Sequence, residues 1–390
     1  MRIALVIFHA DPARGGAERY TLDLANSLRD RGHTIAMLAT SFGDLPPGIE
    51  RVQLHCHGWS RLRQNESFRD SLDAHQAQRQ NDNVQAKLPV RTCDVYHPHA
   101  GIAAEAVCTG HEKHRNPIAR TLAKAANQAN RKRQRFAAIE RELLCGARPP
   151  VVLCLSDYIK RAVQQHYPIN DDCLVCLLNG VDLQRFDPIV NSVAREATRN
   201  RLGLEPDCVM ALMIAQDFAR KGLRQAIEAL AQVRDSRLVL TVVGRDTVPP
   251  YRRLAERVGV ADRVFFAGTT CNPVAFYQAA DFFILPTRHD PCSLVVLESL
   301  AMGLPVISTR QNGACEAMAN GQEGFILEDP DDVTRLAEMM GTLLIAAERE
   351  RMRQACLTLR PTLSQEDHVR KLLEVYEQVQ QKTLTRQSQH

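Results

Sequence analysis

Apolar residues along this chain gather in short continuous runs, and the stretches between them carry apolar residues at helical spacing. The first run, Ile3–Phe8, is too short for a helix and has no polar face, so it reads as a strand covered on both sides. Gly15-Gly16 follow in a loop. A helix is predicted from about Ala17 to Arg31, with Leu24 and Leu28 on one face and Gly32 closing it. Ile35–Ala39, Asp94–Tyr96 and Val151–Leu155 read as further strands of the same sheet. Ser156 is placed to cap a helix carrying Tyr158 to His166.

A fresh series begins after Leu174–Leu178 and the turn-rich Asn179-Gly180-Val181-Asp182. Strands are expected at Val209–Ala215, Leu238–Val243, Val264–Ala267, Phe282–Leu285, Pro305–Ser308 and Phe325–Leu327. Helices Leu223–Val233, Tyr251–Val258, Ala275–Ala280 and Leu294–Met302 fall between them. Strand and helix alternating in this way predict parallel βα units, and the two series predict two α/β domains. The boundary belongs near 182–195, giving domains 1–185 and 186–364. The charged helix from about Gln365 to Lys382, within 365–390, is expected to pack across both. The polar stretch 62–88 reads as a surface helix or a mobile loop.

Composition agrees and excludes some classes. A chain of 390 residues suits two cores. With 45% hydrophobic and 24% charged residues it resembles ordinary soluble proteins. Aromatics at 5%, with one Trp, argue against an aromatic-walled polysaccharide groove, and a net charge of +4 is too small to suggest nucleic acid. Of the twelve Cys, Cys173 and Cys176 form the sole C-x-x-C, inside an apolar run, with no second pair to complete a zinc site. The thiols are expected to be buried and reduced. The N-terminal apolar run is too short for a signal segment or a membrane span, so a cytoplasmic location is expected, free or on the cytosolic face of a membrane.

The charge is uneven. Lys113, Arg115, Arg120, Lys124, Arg131, Lys132, Arg133 and Arg135 contribute +8 with no acid between them. Ile118, Leu122, Ala125, Ala129, Phe136, Ile139 and Leu143 form one helical stripe broken by Lys132. Residues 113–144 therefore suit docking on an anionic membrane, or a helix whose stripe packs on its own domain.

Three clusters carry candidate chemistry. Gly15-Gly16 opens the first helix, where bare backbone and free N–H groups suit a phosphate, or simply a tight turn. It lacks the G-x-G-x-x-G spacing of dinucleotide folds. Phe218-Ala219-Arg220-Lys221-Gly222 lies at the carboxyl end of a parallel strand, where Arg220 and Lys221 could hold a diphosphate. In the third cluster, Thr287 to Glu298, Asp290 precedes a helix and Glu298 lies one turn inside it. Carboxylates accept hydrogen bonds from vicinal hydroxyls, and the amides of Ser293, Leu294 and Val295 would form a first-turn anion site. Alone, such an acid pair reads as a cap and a surface acid.

These motifs together resemble a known family. Asp290-x7-Glu298 followed by Ser299-Leu300-Ala301-Met302-Gly303-Leu304-Pro305-Val306 resembles the E-x7-E element of the retaining GT-B glycosyltransferases of family four. Asn179-Gly180-Val181-Asp182 with Phe186, Gly15-Gly16-Ala17-Glu18 and Arg220-Lys221-Gly222 fit the same pattern, in order over about residues 1–360. Within the family the chain looks most like the lipopolysaccharide core glucosyltransferases that add the first glucose to heptose. The segments that say so are Asp217–Leu230, Val242–Gly244 with Leu254–Val260, and Asp94-Val95-Tyr96.

The resemblance implies two facing Rossmann-like domains and a cleft between them. A UDP-sugar or similar donor, UDP-glucose first among them, would be held mainly by the C-terminal domain. A saccharide or lipid-linked acceptor such as lipopolysaccharide core would be held by the N-terminal one. No metal and no cofactor besides the donor are implied. Glu298 would bind the ribose, Arg220 and Lys221 the diphosphate, and Asp290 hydroxyls of the transferred sugar. Gly15 and Gly16 would approach the diphosphate from across the cleft. Two departures stand out: Asp290 replaces the family's first Glu, and Gln216 sits where many relatives carry a phosphate-binding Arg. His97 and His99 follow the strand Asp94–Tyr96, where relatives often place a His near the reacting sugar; His99 is the candidate. Transfer with retention would then rest on positioning and on stabilising charge at the leaving diphosphate. A nucleotide-sugar epimerase and a silent nucleotide-sugar-binding scaffold are the competing readings.

Overall fold

The computed structural model describes residues 1–78, 81–109, 130–189 and 192–387. The chain forms two compact units, Met1–Leu178 with His368–His390, and Asn179–Asp367. The division falls before Asn179, earlier than the expected 182–195. Residues 368–390, expected to span both domains, are part of the N-terminal unit.

The N-terminal unit is built on a seven-stranded sheet. Its order is Ile49–Gln53, Thr34–Ala39, Arg2–Val6, Asn83–Ala86, Val95–Tyr96, Val151–Cys154 and Leu174–Cys176, every pairing parallel. Ile3, Ala4, Leu5 and Val6 are wholly buried, as a central strand between helical layers requires. Helix Gly16–Asp30 turns Leu24, Ala25 and Leu28 onto this sheet. The expected Ser156 cap is present, its hydroxyl accepting from Ile159 N–H at 3.3 Å.

Two stretches left open by the sequence are settled here. Helix Arg61–Gln78 covers most of the polar stretch and buries Asn65, Phe68, Arg69 and Leu72. Helix Arg131–Cys145 buries Ile139, Glu140, Leu143 and Leu144. Ile139 and Leu143 of the basic amphipathic stripe therefore pack within their own unit, while Arg131 and Lys132 are among the residues left exposed. Residues 110–129, the rest of the expected membrane stretch, lie outside the described residues. Thiols are more varied than expected: Cys154, Cys292, Cys315 and Cys356 are buried, but Cys145, Cys176 and Cys271 are exposed.

The C-terminal unit has a six-stranded parallel sheet in the order Val264–Gly268, Leu238–Val243, Val209–Ile214, Phe282–Leu285, Val306–Thr309 and Gly324–Leu327. Val209 to Met213 and Leu238 to Val243 are buried runs, and helix Leu223–Gln232 buries Leu223, Ala226, Ile227 and Leu230. Among the described residues no helix is long and apolar enough to cross a membrane.

Candidate functional site

Counted within the C-terminal unit, the strand order is 3-2-1-4-5-6. The winding reverses between the first strand, Val209–Ile214, and the fourth, Phe282–Leu285. The carboxyl ends of two such strands are the usual ligand position in open parallel sheets. The loops leaving them are 215–222 and 286–293. They carry Arg220, Lys221 and Asp290.

The first loop is fixed by its own backbone. Asp217 adopts a left-handed conformation (φ 57°), and its carboxylate accepts from the Arg220 amide at 3.3 Å and from Arg220 Nε at 3.1 Å. Phe218 is buried, its N–H donating to Asp246 Oδ2 at 2.7 Å. Gly222 caps the next helix at φ 82°, and a Cβ there would lie 2.1 Å from the carbonyl oxygen of Pro286. Only glycine lets the loops meet so closely. Around that contact Arg288 N–H donates to Arg220 O at 2.9 Å, and Arg220 Nη1 donates to His289 O at 2.8 Å.

Lys221 forms an ion pair with Asp290, both side chains largely buried. Burial pushes the Lys221 ammonium down, and the Arg220 charge adds to that, against the attraction of Asp290. On Asp290, burial acts upward, but Lys221 and then Arg220 outweigh it and hold the carboxyl below its ordinary range. The resemblance assigns these two residues separate partners, diphosphate and sugar; in the structure they partner each other. Arg220 keeps 35% of its side chain exposed.

Asp290 is itself anchored, its N–H donating to Gln311 O and its carbonyl accepting from Gly313 N–H, both at 2.9 Å. Helix Leu294–Ala301 starts just beyond, with Ser293 as N-cap. The Ser293 amide donates to Asn312 Oδ1 at 3.2 Å, so it does not belong to the expected anion site. Leu294 and Val295, in the first turn, have no helical acceptor for their N–H groups by geometry and remain its candidates. They and Glu298 are the half-buried residues of this helix up to that turn, so they lie on its open face. Glu298 Oε2 accepts from the hydroxyl of Tyr277 at 2.6 Å. Tyr277 is fully buried on helix Pro273–Ala279; burial first, and then the Glu298 charge, push its phenol far up. It fixes the carboxylate as a neutral donor. Among the described residues no group of His, Cys, Asp and Glu is arranged for a metal ion.

In the N-terminal unit the order reads 3-2-1-4-5-6-7, and the winding reverses between Arg2–Val6 and Asn83–Ala86. Gly15 and Gly16 lie beyond the first of these strands, Gly15 extended as the N-cap without a side chain and Gly16 exposed. His97 and His99 follow strand Val95–Tyr96. His97 is wholly buried; His99 is half-buried, its ring 5.0 Å from that of Tyr20. The predicted site residues thus separate by unit: Gly15, Gly16 and His99 in the first, Arg220, Lys221, Asp290, Ser293, Leu294, Val295 and Glu298 in the second.

Two family profiles match this chain in the same division, "Glycosyltransferase Family 4" over residues 14–185 and "Glycosyl transferases group 1" over residues 208–345. The chain belongs to the family 4 glycosyltransferases. Lipopolysaccharide glucosyltransferase WaaG of Escherichia coli K12 is 26% identical to it over 332 residues, 84% of this chain and 85% of the relative. A D-inositol 3-phosphate glycosyltransferase of Geodermatophilus obscurus is 26% identical over 384 residues, 88% and 82% of the two chains. The crystal structure of WaaG matches with a TM-score of 0.82 over 96% of this chain and 99% of that one, at 23% identity. That likeness is one of fold, and the fold is GT-B, as expected.

Sequence reading of this glycosyltransferase missed Tyr277 and Asn312. Tyr277 lay in a run read only as a helix, although a buried tyrosine needs a partner for its hydroxyl. Asn312 lies in the turn-like Arg310-Gln311-Asn312-Gly313 after strand Val306–Thr309, again at a carboxyl end.

Proposed function

We propose that this glycosyltransferase moves glucose from UDP-glucose to a saccharide acceptor of the lipopolysaccharide core type, with retention of configuration and without a metal ion. The donor's diphosphate would lie over Arg220, Lys221 and the Leu294–Val295 amides. Glu298, held by Tyr277, would take the ribose hydroxyls, and Asp290 hydroxyls of the transferred sugar. The observation that carries this is the meeting of Arg220, Lys221 and Asp290 at the switch point of the C-terminal sheet. The glucosyltransferase activity of the WaaG relative, matched over most of both chains, supports the choice of donor sugar and acceptor.

Chemically, the departing diphosphate gains negative charge as the glycosidic bond breaks. Preset cations in a dry site stabilise that charge without reorganising. Lys221 pairs with Asp290, and the diphosphate and the sugar hydroxyls would divide this ion pair between them.

Incubation with UDP-glucose carrying labelled glucose, with and without a core oligosaccharide lacking its first glucose, tests this. Label in the acceptor with an α-anomeric coupling, unaffected by chelator, is expected. Conversion of the donor without acceptor would mean an epimerase instead, and no turnover of either kind a scaffold. Attachment to an anionic membrane surface is part of the same proposal, through the charges of residues 113–135 rather than the stripe. Salt-sensitive co-sedimentation with anionic vesicles and not with neutral ones is its expected sign.

A further inference from the structure

Lys87 comes directly after strand Asn83–Ala86, at the switch point of the N-terminal sheet. Its side chain is buried, and no carboxylate pairs with it among the described residues. Its partners are the ring nitrogen Nδ1 of His97 at 2.7 Å and the face of Tyr20, 4.4 Å from the ring centre. A buried amine without an acid costs stability. Burial pushes this amine well below the ordinary lysine range.

The groups around it are fixed by a chain of hydrogen bonds. The Tyr376 hydroxyl donates to Gln85 Oε1 at 2.6 Å, which turns the amide nitrogen of Gln85 toward His97 Nδ1, 3.1 Å away. His97 Nδ1 is thereby an acceptor, and the ring is neutral with its proton on Nε2. Nε2 is buried with no hydrogen-bond partner among the described residues. On the other side His368 Nδ1 donates to Leu178 O at 2.7 Å, so His368 Nε2 accepts from the Tyr20 hydroxyl, also at 2.7 Å. His99 lies against both controlled rings, 5.0 Å from Tyr20 and 5.4 Å from His97 between ring centres.

We propose that Lys87 is a positioning residue: through His97 and Tyr20 it sets the orientation of His99 at the ligand edge of the N-terminal sheet. The proposal rests on the transferase reading only in assigning His99 to the sugar. A purely structural lysine would lose stability when replaced. This one is expected to lose function without losing stability, because methionine fills the space and removes a buried amine that has no counter-charge.

The test compares the wild type with Lys87→Met and Lys87→Gln in thermal unfolding, in kinetics with donor and acceptor varied separately, and in ring nitrogen NMR of histidine-labelled protein. Lys87→Met should keep or raise Tm and leave the donor KM within about threefold. Its kcat should fall about 10–100-fold, the scale of a misplaced reacting group. Lys87→Gln, which restores a donor to His97, should recover most of the loss. In the free protein His97 should be the neutral Nε2–H form, and the His99 signal should move or broaden in Lys87→Met. Wild-type kcat in Lys87→Met, a loss that follows a lowered Tm, or an unchanged His99 signal would overturn the proposal. The ring signals need no turnover, so an inactive wild type would count against the transferase reading alone.

Discussion

Each sheet has a lysine at its switch point, on opposite sides of it in the two units, and their surroundings are opposite. Lys221, in the loop after the first strand of the C-terminal sheet, meets Asp290 from the loop after the fourth. Lys87, after the fourth strand of the N-terminal sheet, meets a histidine and a tyrosine face but no acid. The same switch-point geometry therefore yields a charge-balanced site and an unbalanced one. A paired lysine can be released to a diphosphate while its aspartate turns to a hydroxyl. An unpaired, buried one has no such exchange to make, and its effect must pass through the rings it touches. The fold supplies the location, and the residue opposite decides the use.

Stability should separate the two most strongly. Removing one partner of a buried ion pair strands the other charge, at about 3–5 kcal/mol where burial is complete. Lys221→Met should approach that loss in chemical denaturation, whereas Lys87→Met should show none at neutral pH. Equal losses in the two variants would erase the distinction.

Catalysis comes next. Lys221→Ala should raise the barrier to transfer by about 2–4 kcal/mol, the usual cost of removing one preset contact to a developing anion. Unchanged transfer in the folded variant would remove Lys221 from the site. Within the C-terminal unit, Glu298→Gln should weaken bare UDP by about 1.5–3 kcal/mol, as for a lost charge-assisted hydrogen bond. Asp290→Asn should impair transfer more than UDP affinity; identical UDP titrations for the two variants would merge roles kept apart here.

The smallest effect is in pH. Burial lowers the Lys87 pKa in the folded state, so below the ordinary lysine range the unfolded chain binds more protons at this group. Wild-type stability relative to Lys87→Met should therefore rise as pH climbs from the lowered folded value toward the ordinary lysine range. Asp290 works in the same sense at lower pH: its lowered pKa stabilises the fold above the ordinary carboxylate range, and this is lost as pH falls through the folded value. A flat difference curve for either variant would contradict its assignment.

Much of this was legible in the sequence. Continuous apolar runs such as Ile3–Phe8 and Leu238–Val243 announced parallel strands, because both faces of such a sheet are covered by helices. Helix Leu223–Val233 was expected within a residue of its observed end, and Arg220, Lys221 and Asp290 lie after strands, where the pattern put them. Pairing was not legible. Nothing in a linear pattern says that residue 221 meets residue 290, that Tyr277 donates to Glu298, or that Asn312 occupies the Ser293 amide. The C-terminal helix was read as bridging because its charged pattern carries no address. His368 and Tyr376 give it one, through Tyr20 and Gln85 of the N-terminal unit.

The most direct test of the donor site is calorimetric titration of UDP into the wild type, Lys221→Ala and Lys87→Met under identical salt. Lys221→Ala should weaken binding at least about tenfold, the lower end for a charge-assisted contact, while Lys87→Met binds UDP as the wild type does. UDP affinity that is equal in wild type and Lys221→Ala, or that falls in Lys87→Met instead, would contradict a nucleoside diphosphate site at the switch point of the C-terminal sheet.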